Sequence, residues 1–280
     1  MILSLLMNFV NKKGDVKKMK RSSFISAAIV AAALLLSSPT FACRPLTTED
    51  YGVADRGTWQ LESGVTLVTN RDNSGTNTID ECLHYGVWDH VEAALEMTYL
   101  GLNSKHLSQS GLGDGTFHIK WNFLQLSDEE GMSLKFSYQI KSGDANKGLG
   151  SNENDLTTLL VLTKKIGDYT LHFNFGYLFD DEPAGQPQDD SIIYNIAAQR
   201  SLTDKLTIYT ELTSSIPTLY TEDVDESTGE ITLERESAIQ GLIGISYAIN
   251  DSLVWDAGIG GGLNKYSPDS SFTTGLTANF

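Results

Sequence analysis

Residues with charged or hydrogen-bonding side chains recur at alternate positions in otherwise apolar stretches of this chain. They are Glu62, Glu92, Glu96, Asp114, His118, Lys120, Lys135, Lys141, His172, Asn174, Tyr209, Glu211, Gln240 and Asp256. Carboxylates and ammonium groups at such spacing can form cross-strand ion pairs, as Glu96, Lys120 and Lys135 would on neighbouring strands. The same groups could instead make a polar constriction that selects solutes. Catalytic signatures are thin. The five histidines (84, 90, 106, 118 and 172) include no pair at helical metal-binding spacing, and there is no Gly-x-Ser-x-Gly elbow. Gly111-Leu-Gly-Asp-Gly115 is glycine-rich but precedes a strand, with no helix N-terminus to receive a phosphate. No catalytic residue, metal site or cofactor is expected.

The elements that hold these groups are strands. Between Gly111 and Gly143, Phe117, Ile119, Trp121 and Phe123 alternate with Thr116, His118, Lys120 and Asn122. After a polar link through Asp128–Gly131, Leu134, Phe136, Tyr138 and Ile140 alternate with Ser133, Lys135, Ser137, Gln139 and Lys141. Period-two alternation puts an apolar aromatic set on one face and a polar set on the other, in an antiparallel hairpin. The pattern repeats and predicts twelve strands: 58–69, 76–85, 91–100, the two of this hairpin, 155–165, 169–179, 191–200, 206–213, 237–249, 253–261 and 271–280. In the sixth, Leu159–Leu162 run together and leave its inward face open. Glu81 falls on the apolar face of the second, which a bulge near Cys82 or an interfacial position would accommodate.

The links are asymmetric. Those after even strands are short (86–90, 125–131, 166–168, 201–205, 250–252), while most after odd strands are long. Strands of about ten residues, an even number of them, and alternating short and long links describe a transmembrane antiparallel up-and-down β-barrel, all-β, with both termini on the periplasmic side. Aromatics near strand ends (Trp59, Tyr85, Tyr99, Trp121, Phe123, Tyr169, Trp255 and Phe280) suit the membrane–water interface. A soluble β-sandwich would use the same aromatics as core.

Residues 1–42 differ in kind. Met19-Lys-Arg precedes an apolar run from Phe24 to Leu36 and a Ser-Ser-Pro-Thr-Phe-Ala ending, the pattern of a secretory signal peptide, with 1–18 as an upstream extension. Without this leader the net charge falls from −16 to −21, because six Lys/Arg and one acid leave with it. Nucleic acid is therefore not an expected partner. Cys43 and Cys82 remain, open to a disulfide, to free thiols or to lipidation of Cys43. Residues 43–57 have no period and are expected to enter the lumen from the periplasmic side as a plug, with 58–280 as the barrel. A Cys43–Cys82 bond would pin that plug and constrain the unfolded chain by on the order of 4 kcal/mol. The loops 180–190 and 214–236 are acidic, and solvated surface accounts for them.

Several stretches resemble a known family. Arg44-Pro-Leu-Thr-Thr-Glu-Asp-Tyr-Gly-Val53 with Gly57-Thr-Trp-Gln-Leu-Glu-Ser-Gly64 is similar to the opening of the phenol meta-pathway degradation family of outer-membrane proteins. Tyr85–Glu92, Gly111–Gly115 and Ser142–Gly150 resemble it too. The resemblance spans about Cys43 to Phe280. It implies an outer-membrane barrel of monomeric type, labelled a transporter and associated in name with uptake of aromatic compounds. The alternating strand that ends in Phe280 resembles the signal read by the barrel-assembly machinery. The expected protein is thus a channel for passive uptake of small, hydrophobic or aromatic solutes, set in outer-membrane lipid and lipopolysaccharide. Its expected lumen-lining residues are Glu62, Glu96, His118, Lys120, Lys135, Lys141, His172, Asn174, Glu211 and Asp256. The alternatives are a non-conducting structural or surface-recognition barrel and an outer-membrane hydrolase.

Overall fold

The computed structural model describes residues 44–104, 108–181, 190–219, 221–224, 231–234 and 236–280. The leader, Cys43, most of the loop 180–190 and part of the loop 214–236 lie outside them. Twelve strands form a closed antiparallel barrel: β1 (Trp59–Thr69), β2 (Gly75–Trp88), β3 (Val91–Asn103), β5 (Gly115–Ser127), β6 (Glu130–Ile140), β7 (Leu156–Ile166), β8 (Tyr169–Phe179), β9 (Ser191–Ser201), β10 (Leu206–Pro217), β13 (Ala238–Asn250), β14 (Leu253–Gly262) and β15 (Ser270–Asn279). The seam closes where β1 pairs β15, from Gln60 opposite Asn279 to Thr69 opposite Ser270. Trp59 and Phe280 extend it by exchanging backbone hydrogen bonds of 2.7 and 2.9 Å.

All twelve expected strands are present. The differences are local. A short β4 (Ser108–Leu112) pairs with the far half of β3, while β5 pairs with the near half, so β4 and β5 are one wall strand broken at Gly113-Asp114. The outer loop after β10 carries a small hairpin, β11 (Thr221–Val224) with β12 (Ile231–Glu234). Register shifts sit at the turn end, between Gly86 and Trp88, Asn122 and Leu124, Gln125 and Ser127, and Ala248 and Asn250. Of the two ways to accommodate Glu81, a bulge near Cys82 or an interfacial position, the bulge is not there. Glu81 stays on the outer face and accepts a hydrogen bond from Ser63 of β1, directly opposite it.

The barrel is inside out relative to a soluble protein. Among the described residues, twenty polar or charged side chains are buried and only eight apolar ones, while large apolar side chains cover the outside. That distribution excludes the sandwich, whose core would hold the aromatics. The outer rings form pairs, Trp59 with Tyr85 at 4.4 Å between centroids and Phe175 with Tyr194 at 5.2 Å. In β7 the ambiguity resolves with Val161 and Thr163 buried inside and Leu160 outside.

The break at Gly113-Asp114 has a purpose. Asp114 Oδ1 accepts the backbone N–H of Ser142 (2.8 Å) and Gly143 (2.7 Å), and Oδ2 accepts that of Ser151 (2.7 Å). Leu149 is 2% exposed beneath them, so Gly111–Gly115 clamps the Ser142–Gly150 part of the β6–β7 loop. Burial pulls the Asp114 carboxyl up, but the three N–H donors outweigh it and hold the group below its ordinary value of 3.8. A lowered pKa means that the clamp gains stability from the carboxylate above the unfolded value and loses it as pH falls through the folded one. Asp114→Ala should leave the barrel intact and cost the loop about 1–3 kcal/mol. The check is amide exchange: Ser142, Gly143 and Ser151 should lose protection at neutral pH, and the wild type should lose it only on acidification.

Candidate functional site

Residues 44–57 run through the barrel interior, from its middle to the turn end, and touch strands around most of its circumference. Arg44 is the innermost anchor. Its Nη1 is 2.6 Å from Asp80 Oδ2, Nη2 donates to Thr273 Oγ1 at 3.0 Å, and Nε lies 3.5 Å from the buried Asp256 Oδ2. Room for the guanidinium comes from Gly64 and Gly275, which face each other across β1 and β15. A Cβ on either would come within 2.5 Å of it. Further along, Thr48 donates its N–H and hydroxyl to Glu211 of β10. Asn174 of β8 reads the Glu49 backbone from both sides, accepting its N–H at 2.8 Å and donating to its carbonyl at 2.9 Å.

The Glu49 side chain crosses to the opposite wall. Its carboxylate bridges Lys135 (2.5 Å) and Lys120 (3.1 Å), and Asp50 adds a second anion 3.5 Å from Lys120. Lys120 and Lys135 are paired directly across β5 and β6, so like charges face each other and an anion must lie between them. Sequence reading supplied Glu96 as that anion in a ladder along the wall. In the structure Glu49 bridges the lysines, and Glu96 pairs with His118, Oε2 to Nε2 at 3.1 Å. Tyr51 is fixed by Thr163, whose hydroxyl accepts its N–H at 3.0 Å and also meets His172 Nδ1 at 2.9 Å. Ser133 donates to the Tyr51 carbonyl at 2.5 Å. Ala54 donates to Glu92 at 2.6 Å, and Glu92 in turn meets His84 Nδ1 at 2.8 Å.

The segment leaves space beside it. A cavity of about 630 Å³ lies between it and the wall of β1–β6, lined by Asp80, Cys82, Glu96, His118, Lys120 and Lys135 among others. A second, of about 320 Å³, opens near His172 and Gln199 at the turn end. A third, of about 210 Å³, lies beyond Arg44 toward the outer loops.

Of the ten residues expected along the lumen, Glu62, Glu96, His118, Lys120, Lys135, His172, Asn174, Glu211 and Asp256 point inside. Lys141 does not. Strand β6 ends at Ile140, and Lys141 sits exposed in the following loop, its N–H bonded to Asn154. Cys82 also faces the large cavity, and its pairing with Cys43 falls outside the described residues. Sequence reading missed Arg44, Thr48, Glu49 and Tyr51 as the inner partners of this wall. Their segment has no period, so nothing in it says where a side chain points.

Comparison with known proteins agrees with this architecture. No curated protein sequence matches the chain. The COG4313 outer membrane channel from Pseudomonas putida F1 superposes with a TM-score of 0.66 at 11% identity, over 84% of this chain and 100% of that one. The NanC porin does so at 0.52 and 9% identity, over 79% and 98%. The KdgM porin, solved in complex with disordered oligogalacturonate, gives 0.50 and 9%, over 80% and 99%. At such identities the likeness is one of fold, that of an outer-membrane β-barrel. Residues 42–280 match the family described as "Putative MetA-pathway of phenol degradation", and the chain belongs to that family.

Proposed function

We propose that this barrel is an outer-membrane channel through which small solutes diffuse passively, with residues 44–57 as its internal constriction. The observation that carries this reading is the segment itself. It fills the middle of a polar, closed barrel through ionic and hydrogen-bond contacts, and it leaves a cavity of about 630 Å³ at its side. Its contacts are polar, so water can replace them when the segment shifts, at the cost of breaking buried ion pairs. The family's description points to phenol-like aromatics as the solute class. A cavity of this volume is within the range of small-molecule sites. Passage needs no cofactor and no reaction.

The test is single-channel conductance in planar bilayers, for the mature chain and for a variant lacking residues 44–57. Heat-modifiable migration in gels should verify that both barrels fold. The deletion should raise the unitary current several-fold. A folded deletion variant that carries no current would make this a non-conducting barrel. Equal currents with and without the segment would remove it as the constriction.

A further inference from the structure

We propose that Cys82, Glu96 and His118 form a binding site for a divalent transition cation of the zinc class on the lumen wall. The thiol sulfur, a carboxylate oxygen and an imidazole nitrogen of these residues lie within 4.8 Å of one another. Strand pairing builds the cluster. Cys82 stands directly opposite Glu96 across β2 and β3, and His118 enters diagonally from β5 on the same inward face. Sulfur, nitrogen and oxygen donors together suit zinc. A tetrahedral ion about 2.0–2.2 Å from nitrogen and oxygen would hold those two atoms about 3.3–3.6 Å apart. His118 Nε2 and Glu96 Oε2 are already 3.1 Å apart, so little rearrangement is needed on that side.

A second observation points to a ligand. The other His118 nitrogen, Nδ1, lies 2.8 Å from Ser137 Oγ. When that nitrogen donates to the hydroxyl, Nε2 turns a lone pair toward the Glu96 carboxylate. Two acceptors that close need a cation between them, either a proton or a metal. An outer partner that fixes a histidine's tautomer is the usual support for a metal ligand. All three residues line the large cavity, so a fourth coordination position opens toward water or a passing solute. His84, the next inward residue along β2, is not one of the three ligands, and its Nδ1 meets Glu92 at 2.8 Å. Binding would release the Cys82 proton to solvent as the thiolate forms.

The site does not depend on whether the barrel conducts, so its test is equilibrium binding. Reduced mature barrel in detergent is titrated with zinc, and with cobalt(II) as a spectroscopic substitute. One equivalent should bind, and cobalt should show thiolate-to-metal charge-transfer absorption. Cys82→Ser should abolish that absorption, and His118→Ala should remove most of the affinity. Ser137→Ala, which acts only through His118, should weaken zinc binding by about 10–100-fold. Cys43→Ser should bind as the wild type does. Heat-modifiable migration identifies any variant that failed to fold, and Cys82→Ala then serves as the substitute for Cys82→Ser. Equal binding by wild type and the folded Cys82 and His118 variants overturns the site, as does loss of binding in Cys43→Ser alone. No binding by the reduced wild type also overturns it and leaves the proton as the shared cation.

Discussion

Glu49→Lys will expel the N-terminal segment from the barrel. The present arrangement puts one carboxylate between two ammonium groups that strand register forces to face each other, at 2.5 and 3.1 Å. Lys120 is 4% exposed, so neither water nor salt screens the repulsion effectively once the anion is lost. Removing one partner of a buried ion pair costs about 3–5 kcal/mol, and here a third positive charge is added as well. At about 1.4 kcal/mol per factor of ten, the docked population should fall by roughly two to four orders of magnitude. The barrel wall should survive, because the segment joins its ladder of backbone hydrogen bonds at the segment's far end, where Gly57 donates to Gly86 of β2 at 2.8 Å. Amide exchange checks this directly. The N–H groups of Glu49, Tyr51 and Ala54, now bonded to Asn174, Thr163 and Glu92, should lose protection together. Glu49→Gln should do the same to a smaller extent, since it keeps an acceptor oxygen. Restoring an anion opposite the new cation, as in Glu49→Lys with Lys135→Glu, should recover part of the protection. Unchanged protection in folded Glu49→Lys would mean that the ion pairs do not hold the segment, and its role as the constriction would lose its physical basis.

The wall of this protein was legible in its sequence, and its contents were not. Period two survives in almost every strand because lipid and lumen demand opposite side chains at successive positions. Even the awkward Glu81 was placed on the correct face, and its accommodation by Ser63 instead of a bulge is a single side-chain contact that alternation does not encode. Lys141 shows the limit of the pattern. Alternation continues one residue beyond the end of the ladder at Ile140, so the pattern alone carries the strand one residue too far. The site was harder. Glu96, Lys120 and Lys135 are recognisable as partners in charge, but the deciding anion, Glu49, is itself held by long-range contacts. No local spacing connects Glu49 with Asn174 or Arg44 with Asp256. The Cys82, Glu96 and His118 cluster was hidden for the same reason. Metal motifs are recognisable when one helix or turn supplies neighbouring ligands, whereas three strands supply one ligand each here, and only their register brings the donors together.

Ile243→Arg should cost the barrel about 2–4 kcal/mol, the penalty for a cation at the midplane of a membrane strand. Ile243 is central in β13 and 66% exposed on the outer face. In a soluble protein an exposed position like this would accept arginine within about ±0.5 kcal/mol. The two environments therefore give opposite answers for one substitution, and the result measures the surroundings of the outer face instead of its packing. Leu202→Arg is the depth control. Leu202 is 51% exposed as well, but it lies in the turn after β9, where an interfacial arginine costs about 0–1 kcal/mol. Reversible unfolding in lipid vesicles gives both values under one condition. A small cost at Ile243, matching that at Leu202, would put water around β13. The inside-out distribution of polar and apolar side chains would then need a different cause, and a lumen with a movable segment would have no membrane to cross.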